Sequence, residues 1–342
     1  MAEQLLEGVR RSRSDGGTVI LESLLAPMAH FAVRVAHRRG LFRLLKGGRR
    51  LTAGEIGEAL ELQHRPVEAV LAAVTALGLL EVSDHRYGLS ALAEDYLLES
   101  SPTYMGFLID LSEGGPWSLA MLEQAVSSDR PQRADMNFAN FEEQTAFARV
   151  FTRAMHSVSF GPALVWPELV DLSGVGLLLD VAGGSGAHSI GACLRWPELR
   201  SVVLDLRPVC DVAEEFVAGH GLGDRIGTAR ADMWADPFPP ADAHFYSNVL
   251  HDWPPEKCRL LLEKSYASLE PGGRILIHEA LFDDDKTGPF IVAAYSVGML
   301  VAAEGQQFSG RELGELLAAE GFEDVKITPA GAPYSIVEAR KP

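Results

Sequence analysis

Cysteine is scarce: Cys193, Cys210 and Cys258 are the chain's three. They are odd in number, far apart and form no Cys-x-x-Cys, which argues against a disulfide framework and for reduced structural thiols. No uninterrupted apolar run approaches the roughly 18 residues that span a bilayer. The start, Met1-Ala-Glu-Gln-Leu-Leu-Glu, lacks a basic n-region and an apolar h-region, so no secretory leader is expected. A cytoplasmic location is the expectation. Basic residues are in deficit, 30 against 47 acidic ones, for a net charge of −17. Such a surface repels phosphate backbones and anionic lipids, so neither nucleic acid nor a membrane is an expected partner. One stretch runs the other way: Arg34, Arg38, Arg39, Arg43, Lys46, Arg49 and Arg50 lie together without a carboxylate. A solvated helix face, or a contact between subunits, accounts for it better than nucleic-acid binding does.

What is present suffices for a large core: 342 residues, 47% of them hydrophobic. That length predicts two domains, or one with an appendage. Residues 1 to about 20 are polar and read as frayed. From Ile20 to Leu45 the apolar spacing is helical, with Gly40 ending the run. Thr52-Ala-Gly-Glu55 is a capping box. A further helix runs from about Pro66 to Gly78, and Leu79–Val82 with Arg86–Leu89 reads as a hairpin. Helix, helix and hairpin in that order make a winged-helix-like module, which raises a DNA-binding regulator as a reading from another class. Residues 1–100 hold 12 basic and 13 acidic residues, however, and the Pro66–Leu77 helix carries no Lys or Arg. A DNA reader would show a basic recognition helix. Residues 91–170 read as helical, with Phe147, Phe151 and Met155 on one stripe.

From Gly176 strands and helices alternate, the mark of a doubly wound α/β domain. Strands are predicted near 177–182, 201–205, 227–231, 243–248 and 273–279. Two more, near 325–328 and 334–339, are separated by too few residues for a crossover and must pair antiparallel. The first strand, Leu177-Leu-Leu-Asp-Val, runs into Ala182-Gly-Gly-Ser-Gly186, a tight turn through which backbone can approach a ligand. Asp205 ends the second strand, where a carboxylate commonly grips ribose hydroxyls. The turn by itself stays open to several readings. A dinucleotide fingerprint wants a third glycine where Ser189 stands, and a P-loop wants Gly-Lys-Ser/Thr, which is absent.

Further residues collect at strand ends, where open α/β sheets bind ligands. Ser247-Asn-Val-Leu-His251-Asp252-Trp253-Pro254 follows the fourth strand, and Ile275-Leu-Ile-His278-Glu279 closes the fifth. Together with Asp180–Gly186, Asp205-Leu206, Ala231-Asp232-Met233-Trp234 and Glu270-Pro-Gly-Gly273, the whole chain resembles the S-adenosylmethionine-dependent small-molecule O-methyltransferases of caffeate/flavonoid, acetylserotonin and bacterial antibiotic-tailoring type. The resemblance implies a Rossmann-like sheet of seven strands and an N-terminal helical, winged-helix-like dimerisation domain. It divides the chain into a dimerisation domain (1–100), a helical linker and substrate-lid region (101–170) and a cofactor-binding methyltransferase domain (171–342). It implies a homodimer, an aromatic acceptor, and S-adenosylmethionine leaving as S-adenosylhomocysteine.

Residue by residue, the resemblance gives Asp180, Gly183, Gly184 and Gly186 to the cofactor loop and Asp205 with Leu206 to the ribose. Asp232, Met233 and Trp234 surround the adenine, and Ser159 meets the methionine part. His251 matches the catalytic base, with Asp252 beside it and Glu279 orienting it. Phe151, Met155, Met299 and Asn248 match acceptor positions; no metal ligands are implied. Two departures stand out. Ala182 replaces a glycine. Gln307 stands where the family has a second glutamate against the histidine; it can hydrogen bond to imidazole but cannot stabilise its charge, so His251 is expected to be a weaker base. That replacement keeps C-methylation of an aromatic carbon, or a reaction without methyl transfer, as alternatives. In the main reading His251 takes the proton of a phenol. With ordinary pKa values near 10 and 6.5, the transfer is uphill by roughly 3.5 units, about 5 kcal/mol.

Overall fold

In the computed structural model, residues 17–111, 118–133 and 141–342 are described. The chain divides into two units, Met1–Gly106 and Phe107–Pro342. In the first, α1 (Gly17–Arg38) opens inside the stretch read as frayed; the rest of that stretch lies outside the described residues. Gly40, left-handed at φ 78°, caps α2 (Leu41–Leu44). After β1 (Leu51–Thr52) comes α3 (Ala53–Ala59), opened by the capping box: Glu55 N–H donates to Thr52 Oγ1 at 3.3 Å, and Thr52 N–H to Glu55 Oε2 at 2.7 Å. Next, α4 (His64–Ala76) buries Val67, Leu71 and Val74, a single helical stripe. The hairpin is β2 (Leu80–Ser83) and β3 (Arg86–Leu89), in a sheet of order β1-β3-β2, and α5 (Ala91–Leu97) follows.

Helix α1 packs on α4 yet leaves Ile20, Leu24, Leu25, Met28 and Phe31 exposed. By length and composition it is apolar enough to cross a membrane. Glu22, His30 and Arg34 interrupt its apolar run.

The second unit begins with α6 (Gly106–Leu111), α7 (Leu119–Ser128), α8 (Thr145–Ala163) and a 3₁₀ turn, Trp166–Glu168. Alternation then sets in: β4 (Leu177–Val181), α9 (Ala187–Arg195), β5 (Arg200–Asp205), α10 (Arg207–Gly219), β6 (Ile226–Arg230), β7 (Ala243–Ser247), α11 (Pro255–Ser268) and β8 (Arg274–Ala280). The chain closes with α12 (Phe290–Ala302), α13 (Gly310–Ala319), β9 (Glu323–Pro329) and β10 (Tyr334–Arg340). The seven strands run β6-β5-β4-β7-β8-β10-β9, and β10 is antiparallel to both its neighbours.

Successive strand residues face opposite ways. Leu178, Phe245, Leu276 and Ile336 join one core, with Trp166 stacked on Phe245 at 4.6 Å. Leu179, Tyr246, Ile277 and Val337 join the other. Ser189, at the place of the missing third glycine, is buried on α9 and donates its hydroxyl to Asp180 Oδ2 at 2.7 Å. The serine therefore satisfies a buried acid that a glycine would leave bare.

Burial pushes Asp180 up to about 7, against the pull of the Ser189 hydrogen bonds. An acid whose folded pKa lies above its ordinary 3.8 takes stability away as pH rises through the folded value. Ser189→Ala is therefore expected to cost about 1–3 kcal/mol, and more at about pH 8 than at about pH 5. Urea unfolding at the two pH values measures it.

Candidate active site

The carboxyl ends of β4, β5, β7 and β8 collect the chemistry. After β4 the chain turns sharply through Ala182 (φ 50°), Gly184 (φ 58°) and Gly186 (φ 72°). The expected departure at Ala182 is thus a non-glycine residue held left-handed, a conformation that costs roughly 1–2 kcal/mol. At Gly183 a Cβ would lie 2.6 Å from Asp180 Cγ, so only glycine fits. Asp205, ending β5, accepts from Gly184 N–H at 2.9 Å through Oδ2 and from Leu206 N–H at 2.7 Å through Oδ1. Burial pushes its carboxyl up to about 6, against the pull of those donors. A cradle that a Cβ would fill, with a carboxylate on the next strand able to receive a diol, fits a nucleoside cofactor.

After β6, Asp232 Oδ1 accepts from Trp234 N–H at 2.8 Å, and Lys264 Nζ donates to Met233 O at 2.5 Å. Trp234 meets Trp253 edge-on at 5.0 Å, which sets this loop beside the one after β7. Ser159 and Met155 lie on α8. Phe151, on the same helix, packs on Phe141 at 5.6 Å in a cluster with Leu206 and Val209.

Beyond β7, Leu250–Asp252 forms a 3₁₀ turn that buries His251. Its Nδ1 lies 2.9 Å from Glu279 Oε2 on β8, and its Nε2 lies 3.7 Å from Asp252 Oδ1. Glu279 Oε1 accepts from Val249 N–H at 3.2 Å. Gln307 brings its Nε2 to 3.2 Å from Nδ1. A ring nitrogen that carries its proton toward Glu279 cannot also accept from an amide N–H. With the carboxamide turned about its last bond, Oε1, which like Glu279 Oε2 has no hydrogen-bond partner among the described residues, faces Nδ1 as an acceptor for that proton. Gly305 makes the approach possible, since a Cβ there would lie 2.3 Å from His251 O.

Burial alone would lower the pKa of His251; the carboxylates of Glu279 and Asp252 outweigh it and raise the imidazole to about 9. Asp252 is itself pushed up to about 6 by burial, with His251 pulling down and Glu279 pushing up.

Met299 is buried on α12, one turn after Tyr295, whose ring stands edge-on to His251 at 5.3 Å. Asn248 is left-handed at φ 52°, and its N–H donates to His278 O at 3.2 Å. His278 shares a hydrogen bond with Ser247 Oγ at 2.9 Å and stacks on Tyr334 at 4.6 Å. The structure thus joins His251, Glu279, Asp252 and Gln307 in one cluster and Asp205 with Gly184 and Leu206 in another. Sequence reasoning missed Tyr295 and Tyr334. Helical spacing from Met299 would have found the first. The register that sets Tyr334 opposite Ala280 and Ser335 opposite Glu279 delivers the second.

This sheet order, with a glycine cradle after β4 and an acid ending β5, is that of a nucleoside-binding α/β domain, and the chain's relatives narrow the class to the S-adenosylmethionine-dependent methyltransferases. A family model described as an O-methyltransferase domain matches residues 120–323. A 3-hydroxy-5-methyl-1-naphthoate 3-O-methyltransferase of Streptomyces sahachiroi is 38% identical over 299 residues, 86% of each chain. An L-tyrosine C(3)-methyltransferase of Streptomyces lavendulae is 30% identical over 322 residues, 88% of this chain and 86% of that one. The crystal structure of human N-acetylserotonin methyltransferase in complex with SAM superposes with a TM-score of 0.84 at 27% identity, over 97% of this chain and 99% of that one. The chain belongs to the O-methyltransferase family, and S-adenosylmethionine is its cofactor.

A histidine whose folded pKa is raised contributes stability that is whole below the unfolded value and is lost as pH rises through the folded one. For His251 that window runs from 6.5 to about 9. The unfolding free energy is expected to fall across it, and in Glu279→Gln, which keeps only the Asp252 charge beside the ring, the fall across this window shrinks. Denaturant titrations from about pH 6 to about pH 10 test this; an equal slope in both proteins would refute it.

Proposed function

We propose that the protein methylates a hydroxyl of an aromatic small molecule, in the making of a natural product, with His251 as general base. The observation that carries this reading is the buried imidazole with Nδ1 2.9 Å from Glu279, which leaves Nε2 as the atom to take a proton. Glu279 and Gln307 orient the ring, and Asp252 adds its charge on the Nε2 side. Asp180, Gly183, Gly184, Gly186, Asp205, Leu206, Asp232, Met233, Trp234 and Ser159 would hold the cofactor. When bound, S-adenosylmethionine supplies an electrophilic methyl group on a sulfonium. Phe151, Met155, Met299 and Asn248 would line the acceptor site. An in-line displacement with so good a leaving group asks the protein chiefly for alignment and a deprotonated nucleophile.

The raised imidazole alters the proton arithmetic. A phenol near 10 giving its proton to a base at about 9 is uphill by roughly one unit, about 1.4 kcal/mol. The remaining cost at neutral pH sits in the protonation state of the enzyme before the acceptor binds. Turnover is therefore expected to climb with pH until about 9, and Gln307→Glu, by adding a charge against Nδ1, to move that limb higher and lower the rate near pH 7. His251→Ala is expected to lose about 10²–10⁴-fold in turnover with little change in cofactor affinity. Mass spectrometry and NMR of products from phenols and naphthols decide the chemistry: O-methyl products with a nearly intact His251→Ala rate would overturn the base. A second reading, C-methylation, draws support from the tyrosine C(3)-methylating relative; a methyl signal on ring carbon would favour it.

We further propose residues 1–100 as a winged-helix-like dimerisation domain, 101–170 as linker and lid, and 171–342 as the catalytic domain of a cytoplasmic homodimer that binds neither nucleic acid nor membrane. The exposed apolar residues of α1, from Val19 to Val35, support a second copy as their cover. Glu22 and Arg34 within that helix weigh against a bilayer, since charged side chains inside a spanning helix are costly. Leu24→Glu with Phe31→Glu is expected to convert a dimer to a monomer in sedimentation. A wild-type chain that sediments as a fully active monomer would rule the dimer out.

A further inference from the structure

Helix α8 sends into the cofactor loop a residue that no sequence motif marks. His156 is buried, one residue after Met155 and three before Ser159. Its Nδ1 lies 2.8 Å from Oγ of Ser185, the residue between Gly184 and Gly186. Its ring is stacked 3.7 Å from Phe216 of α10, with an interplanar angle of 13°, and 5.0 Å from Phe160, one turn further along α8. Glu215 of α10 is paired with Arg149 and Arg153 of α8, which fastens the two helices beside this stack. Burial, with His220 and Arg153 close by, pushes the imidazole down to about 3. The hydrogen bond therefore joins neutral partners at every pH near neutrality, and His156 carries no charge that would need another partner.

The loop is thus held at two adjacent residues. Gly184 N–H is bonded to Asp205 on β5, and the Ser185 side chain is bonded to α8. Ala182 is held left-handed just before it, a strain that the surrounding contacts must sustain. We propose that His156 is a positioning residue for the cofactor: through Ser185 it fixes the Gly183–Gly186 loop to α8, the helix that also carries Phe151, Met155 and Ser159. The proposal rests on the assignment of this loop to S-adenosylmethionine. It gives the loop and the acceptor-side helix one shared hydrogen bond instead of separate supports.

The test uses the full-length protein, S-adenosylhomocysteine as the probe and calorimetry as the readout, so no acceptor is needed. His156→Phe keeps a flat ring for the stack on Phe216 and removes the hydrogen bond. His156→Asn places an amide atom where Nδ1 stands and keeps the bond while losing the stack. Ser185→Ala removes the bond from the other side. His156→Phe and Ser185→Ala are each expected to weaken S-adenosylhomocysteine binding about 3- to 10-fold, the worth of one neutral hydrogen bond. The double variant is expected to be no weaker than the worse single one, because both remove the same contact. His156→Asn is expected to bind within about two-fold of wild type, the same rule of one shared contact applying. Unchanged affinity in Ser185→Ala would overturn the proposal, even if His156→Phe failed to fold. So would multiplying effects in the double variant, or a loss in His156→Asn as large as in His156→Phe, which would assign the role to the stack.

Discussion

The close approach of His251 and Glu279, buried between the ends of β7 and β8, is the constraint around which the site is built. Taking a carboxylate and an imidazole out of water costs several kcal/mol per charge unless each meets a partner in good geometry. Here Oε2 stands 2.9 Å from Nδ1 as an ion-pair partner, and Oε1 receives Val249 N–H. Neighbouring parallel strands hold the two side chains at a fixed spacing, because Ser247 pairs with His278 just before the chain turns toward His251. Gly305 then lets the segment bearing Gln307 pass close against the His251 backbone.

The antiparallel end of the sheet serves the same pair. Strand β10 enters between β8 and β9 with its first residues beside the last residues of β8. A parallel strand in that place would present its carboxyl end and a connecting loop. The reversed strand instead brings Tyr334 against His278 without a crossover helix over the site. Tyr295 adds a ring edge to His251 from α12. The His251 imidazole thus has one aromatic edge beside it and a carboxylate near each nitrogen, and the carboxylates raise its proton affinity.

The strands and the glycine turn were legible in the sequence because they follow from local patterns, apolar runs and a Gly-rich break, whereas the pairing of His251 with Glu279 was implied by the family resemblance. The antiparallel last pair was legible from loop length alone. What was not legible depends on register and on facing. Tyr334 needs the pairing of β10 with β8, and His156 needs the rotation of α8 toward the loop. Ser189 read as a missing glycine, whereas in the fold it is the donor to Asp180. The apolar spacing of α1 was legible from Ile20 onward, whereas its exposure in a single chain was not, because exposure depends on what packs beside it.

The replacement of glutamate by Gln307 suggests a weak base when only the sequence is read, and the geometry alters that inference. One carboxylate in contact with Nδ1, with a second near Nε2, suffices to outweigh burial and raise the imidazole. Gln307 then contributes an acceptor without a charge. A second glutamate there would add to the attraction for the proton, and a base that holds its proton more tightly is less often empty at neutral pH. The uncharged amide therefore limits how far the histidine is raised while still fixing the ring, so that orientation and basicity are set by different residues. At a given pH, a base with higher proton affinity moves cost from transferring the phenol's proton to emptying the base beforehand, and at position 307 an amide limits that shift.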